Sequence, residues 1–451
     1  MMKKHSVLLK EELCEGCTNC VKNCPTKAIR VHHGKAIIKG ELCIDCAECI
    51  RTCAYHAKYS MTDSFADLED YAYPLVLIPP SFYSQFRKVS PLEVKNSLFK
   101  LGFKEVLDVS LAAEALSIKT AEFLEEHHGV FISSSCPVVV RLIRLLYPEL
   151  TEHLLPFKPP VDVMAEKAWQ DVMTRGISPE DIGIFFITPC PAKYTNIFSP
   201  LGFEKSYIDK GISVDQAYQA ILEVRKEDNS AEKAGSGKDN PGKASPVEGT
   251  QETVLPYLGM GWGQSGGELR IMPESMQERS LSVSGIHRVK ALLDEISRNN
   301  IKGIKYFELA ACNYGCVGGV FNVVNPYQAR FNLRRLQVKG SRPVEQDYGQ
   351  YNYDLPGKFE PLRIGQLDTD LEKAMAKFMQ LEKEIELLPG LDCAACGAPD
   401  CKTLAEDIVN GLASRSDCIF LLRKQVGELA DRMSALAHEL PPVMKKEKKD
   451  R

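Results

Sequence analysis

Residues 306–319 read "YFELAACNYGCVGG". An apolar, strand-like run ends in two cysteines, Cys312 and Cys316, set among alanine and glycine. A run that stops abruptly at glycine-rich chain has the form of the carboxyl end of a buried strand. Two other segments share that form. "VFISSSCP" (130–137) leads to Cys136, and "IGIFFITPC" (182–190) leads to Cys190. In a parallel α/β sheet the carboxyl ends of strands gather on one edge, where sites form. Four thiols brought to that edge make a cubane iron–sulfur site. Four unrelated buried cysteines are the alternative, because free cysteine often belongs to the core.

Strands and helices alternate on either side of these segments. "YPLVLIPPS" reads as a strand, "PLEVKNSLFKLGFKEVLDVS" as a helix, a glycine stop and a strand. "LAAEALSIKTAEFLEEHHG" is a helix ended by Gly129, and "VDVMAEKAWQDVMTRG" one closed by Gly176. This pattern predicts a mainly parallel α/β domain over 70–362 with helices on both faces. Residues 226–251, "KEDNSAEKAGSGKDNPGKASPVEGTQ", hold one large aliphatic residue and read as a flexible insertion. Residues 341–366 read as irregular. A helix plus a cysteine module occupies 367–423, and an amphipathic helix with a basic tail occupies 424–451.

The chain has 451 residues, too many for one compact core, and 44% are hydrophobic. Its net charge of −4 offers no broad basic face for nucleic acid. No apolar run is long enough to span a bilayer and no export signal is read at the start, so a cytoplasmic location is expected. Sixteen cysteines, tightly clustered, then point to metal rather than to disulfides.

Residues 1–62 carry two copies of one pattern, "CEGCTNCVKNCP" and "CIDCAECIRTC". This is the spacing of a two-cluster ferredoxin, in which the fourth cysteine of each run crosses to the other cluster. Cys14, Cys17, Cys20 and Cys53 are assigned to one 4Fe–4S cluster, and Cys43, Cys46, Cys49 and Cys24 to the second. Paired zinc sites are the alternative, but zinc patterns use pairs of cysteines rather than triplets with a fourth. Ala54 replaces the proline of the first copy and is expected to loosen that turn. A third set, Cys393, Cys396, Cys401 and the distant Cys418, forms a plausible four-thiolate site for a cluster or for zinc. It resembles the small iron–sulfur module of the corrinoid partners of carbon monoxide dehydrogenase and of an ion-pumping ferredoxin oxidoreductase subunit.

"SSSCP", "TPCPAK" and "ELAACNYGCVGG" are similar to the three signature segments of the FeFe-hydrogenases. The likeness takes in the ferredoxin region and most of 70–335, including "SFYSQF" and "GFKEVLDVSLAAEAL". It implies an α/β FeFe-hydrogenase-like catalytic domain flanked by an N-terminal two-cluster ferredoxin domain and a C-terminal helical iron–sulfur module. It implies an H-cluster: a 4Fe–4S cubane on Cys136, Cys190, Cys312 and Cys316, with Cys316 bridging to two irons that carry carbon monoxide, cyanide and an aza-dithiolate. With the three other cysteine sets this makes three additional 4Fe–4S clusters. Pro189 and Lys193 match the second segment, and the Lys193 ammonium would donate to an anionic cyanide.

The chain departs from the family at several positions. Ser135 stands where the family has a cysteine that passes protons to the dithiolate amine. A hydroxyl is a far weaker acid than a thiol, so slow proton delivery and low turnover are expected. Thr188 and Ala310 replace methionines and are expected to add polarity or space around the two irons. Asn196 replaces a glutamate, and "GGVFN" replaces "GGGQP", leaving the path after Gly319 open. Glu268 and Glu308 are candidate proton relays, or ordinary salt-bridged residues.

Three functions stay open at this point: a hydrogenase of ordinary speed serving metabolism, a slow sensory hydrogenase, and a non-catalytic relative like the cytosolic iron–sulfur assembly protein. The resemblance is nearest to the sensory group that lacks a C-terminal PAS domain, group D. Its substrates would be hydrogen and protons. Its partners would be an electron-transfer or signalling protein and the maturation proteins that build the two-iron site. Leu422, Val426, Leu429, Met433, Leu436 and Leu440 follow a four-three spacing, and Leu371, Met375, Phe378 and Ile385 repeat similarly. Either both helices pack on their own domain, or they pair, within the chain or across a homodimer, and couple the extra cluster to a signalling partner.

Overall fold

The computed structural model describes residues 5–234, 258–339, 348–362 and 370–439. The chain divides into two compact bodies. One comprises Met1–Leu9, Gly40–Arg51 and Lys58–Leu362; the other comprises Lys10–Lys39, Thr52–Ala57 and Arg363–Arg451. The 1–62 region therefore contributes to both.

In the first body the order is β1 (Tyr73–Ile78), α1 (Pro91–Lys100), β2 (Glu105–Asp108), α2 (Val109–Glu126), β3 (Phe131–Ile132), α3 (Pro137–Leu146) and α4 (Pro160–Thr174). Then come β4 (Ile182–Thr188), α5 (Pro191–Phe198), β5 (Lys210–Ser213), α6 (Val214–Ala234), β6 (Ser280–Ser284), α7 (Ile286–Ser297), β7 (Tyr306–Ala310) and α8 (Pro326–Lys339). Helices begin where sequence chemistry allows. The Ser90 hydroxyl accepts from the Glu93 amide, the Glu93 carboxylate accepts from the Ser90 amide, and Pro91 occupies the first turn of α1.

The strands form two parallel sheets rather than the single edge expected. One has the order β2-β1-β4-β5, the other β6-β7-β3. β1 and β4 are buried along nearly their whole length, so alternate side chains feed two cores. Leu75, Leu77, Ile184 and Phe186 enter one; Val76, Ile78, Phe185 and Ile187 enter the other. A third core lies with the second sheet and holds Ile132, Val139, Ile143, Phe307 and Leu309. β3 is short because the serines leave the ladder. The Ser133 amide still reaches the Phe307 carbonyl at 2.9 Å, but the Ser134 hydroxyl already donates to the Phe157 carbonyl.

Helix α2 stops at Glu126, before Gly129, which has φ +124° in the following turn. The stretch read as flexible from 226 begins inside α6, which runs to Ala234; 235–251 lie outside the described residues. Within 341–366, residues 348–362 are largely irregular and the rest lie outside the described residues.

In the second body an antiparallel hairpin, Ile29–His32 with Lys35–Ile38, accompanies α9 (Leu371–Leu387), α10 (Cys401–Val409) and α11 (Ile419–His438). The cysteine module is fastened to this hairpin. The Val31 amide donates to the Gly397 carbonyl at 2.9 Å, and Asp407 on α10 receives both Arg30 and Lys39. Gly397 has φ +85°, and a Cβ there would meet the Val31 carbonyl oxygen at 2.0 Å. On α11, Leu422, Val426, Leu429, Met433 and Leu436 are all exposed, as are Leu371, Met375 and Phe378 on α9. Leu440 and the basic tail lie outside the described residues.

Candidate active site

Two of the four scattered cysteines start helices. Cys136 is the N-cap of α3 and Cys190 of α5, each followed by proline in the first turn. Cys312 and Cys316 lie beyond β7. Cys190 thus comes from the first sheet, and the other three follow strands of the second. All four line one cavity of about 110 Å³, together with Ser135, Pro189, Lys193, Ala310, Glu268 and Glu308.

Burial pushes the Cys190 thiol up strongly, with neighbouring Cys312 adding to it. The Cys316 thiol is pushed up to about 11 by burial, against the pull of Lys193. Four thiols crowded in an apolar space repel one another when ionised, and a metal cluster removes that conflict. The donor set therefore fits an iron–sulfur cubane. Lys193, in the first turn of α5, stays charged despite burial because Cys316, Cys190, Cys136 and Asp162 surround it.

The loop after Cys312 has a defined path. The Phe321 amide donates to the Pro189 carbonyl, and the Asn322 side chain donates to the Cys316 carbonyl at 2.7 Å. The Val323 and Val324 amides both reach Oε1 of Gln85, from the "SFYSQF" segment. A Cβ at Gly319 would lie 2.3 Å from the Pro189 carbonyl oxygen, so this glycine serves backbone-to-backbone packing.

Glu268 and Glu308 are both buried, and neither is salt-bridged among the described residues. Glu268 accepts from Ser133 Oγ at 3.1 Å and from the Tyr306 hydroxyl at 2.5 Å. Glu308 accepts from the Gly266 and Leu269 amides at 2.7 and 3.2 Å, and also bonds Ser282. Ser282 in turn meets Ser265 at 2.8 Å. Burial raises both carboxyls, and for Glu268 the nearby Glu308 raises it further. Ser135 lines the same cavity, and its amide faces Ser133 Oγ at 3.5 Å.

Other expectations are corrected. Thr188 is fully buried and adds no polarity to the cavity: its hydroxyl donates to the Cys190 carbonyl at 3.0 Å, closing the strand-to-helix turn. Ala310 does line the cavity. Ala54 does not loosen its turn. The Ala57 amide donates to Cys53 Sγ at 3.3 Å, as the Ala28 amide does to Cys24 Sγ at 3.2 Å. Matching bonds run from His56 and Lys27 to the Cys53 and Cys24 carbonyls. The repeat's own hydrogen bonds thus hold the turn without proline.

Sequence reasoning missed Ser133, Tyr306, Arg51 and Asp162. Asp162 on α4 is buried beside Lys193, and Asn196 donates to it at 3.5 Å. Its carboxyl is pushed up to about 7 by burial, opposed by Lys193 and Lys158. In the second body, Cys393, Cys396, Cys401 and Cys418 line one small pocket with Leu404 and Phe420.

Residues 73–320 match the family model described as the C-terminal domain of the iron-only hydrogenase large subunit. The chain belongs to the FeFe-hydrogenase family. Residues 6–54 match a 4Fe–4S dicluster domain, and residues 388–420 match a family model described as "Putative Fe-S cluster". Solved structures overlap as well. The HydA(deltaEFG) form of an FeFe-hydrogenase, from a study of stepwise H-cluster assembly, is 16% identical with a TM-score of 0.44. It covers 65% of this chain and 100% of its own. A variant of FeFe-hydrogenase HydA1 from Chlamydomonas reinhardtii is 17% identical at 0.43, covering 65% and 98%. This FeFe-hydrogenase relative is an iron–sulfur protein of mixed α/β fold. No helix among its described residues is long and apolar enough to cross a membrane.

Proposed function

We propose that this chain is a slow, cytoplasmic FeFe-hydrogenase that senses hydrogen and reports to a protein partner. The observation that carries the reading is Ser135 on the cavity wall, where the family resemblance puts a proton-passing thiol. In this reading Cys136, Cys190, Cys312 and Cys316 would hold the cubane, with Cys316 also holding the two-iron group. When bound, that group supplies the chemistry that splits hydrogen heterolytically.

The chain's residues hold and move charge around it. Lys193 presents an ammonium to an anionic ligand, and Pro189 positions the turn that carries it. Protons leave along Ser135 Oγ, or along the buried carboxylates. Glu268 exchanges through Ser133 Oγ and the Tyr306 hydroxyl, and Glu308 through Ser282 and Ser265. Both carboxyls are raised by burial, which brings them nearer the working pH of a proton relay. Two clusters in the ferredoxin region and a fourth held by Cys393, Cys396, Cys401 and Cys418 would supply the path for electrons. The ties from Asp407 to Arg30 and Lys39 favour that last module as part of the same relay. The exposed apolar faces of α9 and α11 favour a homodimer or a signalling partner there. Maturation proteins would install the two-iron group.

The deciding experiment is Ser135→Cys in the matured protein. Restoring a thiol should raise hydrogen turnover about tenfold or more. Unchanged turnover would mean that this position does not limit the rate, and would remove the argument for a slow sensor. Infrared spectra lacking carbon monoxide and cyanide bands, with every cubane present, would instead favour the non-catalytic relative.

A further inference from the structure

Arg51, next but one after Cys49, sends its guanidinium in two directions. Nη1 donates to Glu48 Oε1 at 2.7 Å and to the Cys46 carbonyl at 3.2 Å. Nη2 donates to the Gly318 carbonyl at 2.8 Å and to Cys312 Sγ at 3.4 Å. One side chain therefore joins the backbone of the Cys43–Cys49 loop to a sulfur of the cavity. An ordinary Arg–Glu pair one helical turn apart would need only Nη1. Here the second arm of the fork ends on a thiol and on the carbonyl of the loop that follows it. Lysine, a point donor on a flexible stem, has no rigid fork to hold both.

The surroundings fit a charge that matters. The Arg51 side chain is 26% exposed and that of Glu48 is 17% exposed. A guanidinium keeps its charge in proteins at any working pH. A cationic N–H donated to a cluster thiolate stabilises the extra electron of the reduced state, and so raises the reduction potential. Glu48, bonded to the same guanidinium, opposes that effect.

We propose that Arg51 is a positioning residue that sets the reduction potential of the cubane through Cys312, with Glu48 as its counterweight, and links that cubane to the Cys43–Cys46–Cys49 loop. The inference rests on the reading of Cys312 as a cubane ligand. The test is a potentiometric titration of the full-length, cluster-loaded protein, followed by electron paramagnetic resonance and by the infrared bands. Arg51→Leu is expected to shift the cubane couple to lower potential, Arg51→Lys to shift it less, and Glu48→Gln to shift it upward. A purely structural role does not yield shifts of opposite sign from the two partners. An unchanged potential in Arg51→Leu with full iron content, or shifts of one sign in both variants, would overturn the inference. Should Arg51→Leu fail to assemble, the sign of the Glu48→Gln shift decides: upward supports, unchanged or downward refutes. Absence of any cubane signal in the unaltered protein would sink the reading of the site itself, a result distinct from an unmoved potential.

Discussion

The Tyr306 hydroxyl donates to Oε1 of Glu268 at 2.5 Å, while Ser133 holds the other oxygen of that carboxyl. The three residues come from separate segments, yet β7 and β3 place Tyr306 opposite Phe131 in the ladder and so bring Ser133 close. If this buried carboxyl relays protons, Glu268→Gln keeps its shape and removes its acidity. Hydrogen turnover is expected to fall about a hundredfold. Tyr306→Phe should cost less, since it removes a partner and not the relay. Turnover in Glu268→Gln equal to that of the parent protein would assign the carboxyl a structural role.

Asp162 makes stability depend on pH. Its carboxyl titrates near 4 in the unfolded chain and is pushed up to about 7 by burial in the folded one. Between those values the folded state binds more protons than the unfolded state. Its contribution is therefore complete below about pH 4, is lost as pH rises to about 7, and is constant above that. The local slope reaches at most about 1.4 kcal/mol per pH unit. Urea unfolding of the cluster-loaded protein at several pH values between 5.5 and 8 checks this. Asp162→Asn should flatten the decline, and an unaltered slope would show that other groups cause it.

Asp407 takes two cations, and Arg30 and Asp407 are nearly fully buried. Asp407→Asn leaves Arg30 without its counter-charge, at a cost of about 3–5 kcal/mol. Unfolding followed by loss of cluster absorbance should report it, with exposed Asp431→Asn as the neutral comparison. Equal stability of the two variants would contradict the account of how the C-terminal module is held.

The apolar seam of α11 has no buried residue along its whole length. Removing residues 424–451 is expected to convert a dimer to a monomer in analytical ultracentrifugation while cluster content stays constant. A parent protein that is already monomeric, or a dimer that survives truncation, would leave the seam to a different partner.

Spacing made much of this legible. The cysteine runs and the strand-helix alternation are local signals, and the match to a 4Fe–4S dicluster domain and the two parallel sheets agree with them. What escaped depends on distant pairs. Ser133 and Glu268 are 135 positions apart, and Arg51 and Cys312 are 261 apart. No local pattern marks such partners before the sheets are assembled. The separation into two sheets was hidden for the same reason, because β3 is only two residues long. Thr188 was misread because a family position suggested a cavity wall, whereas its hydroxyl is satisfied by the turn it belongs to. Ala54 erred in the opposite direction: amide-to-sulfur bonds perform the task expected of proline.

Cys190 follows a strand of one sheet, while Cys136, Cys312 and Cys316 follow strands of the other. Each sheet has its own hydrogen-bond ladder, and no strand belongs to both. A cluster ligated by all four would act as a rivet between two sheets whose ladders are separate and whose side chains share a core. Iron insertion then becomes a step in finishing the protein's architecture as well as in arming it, because binding free energy at such a site is also folding free energy.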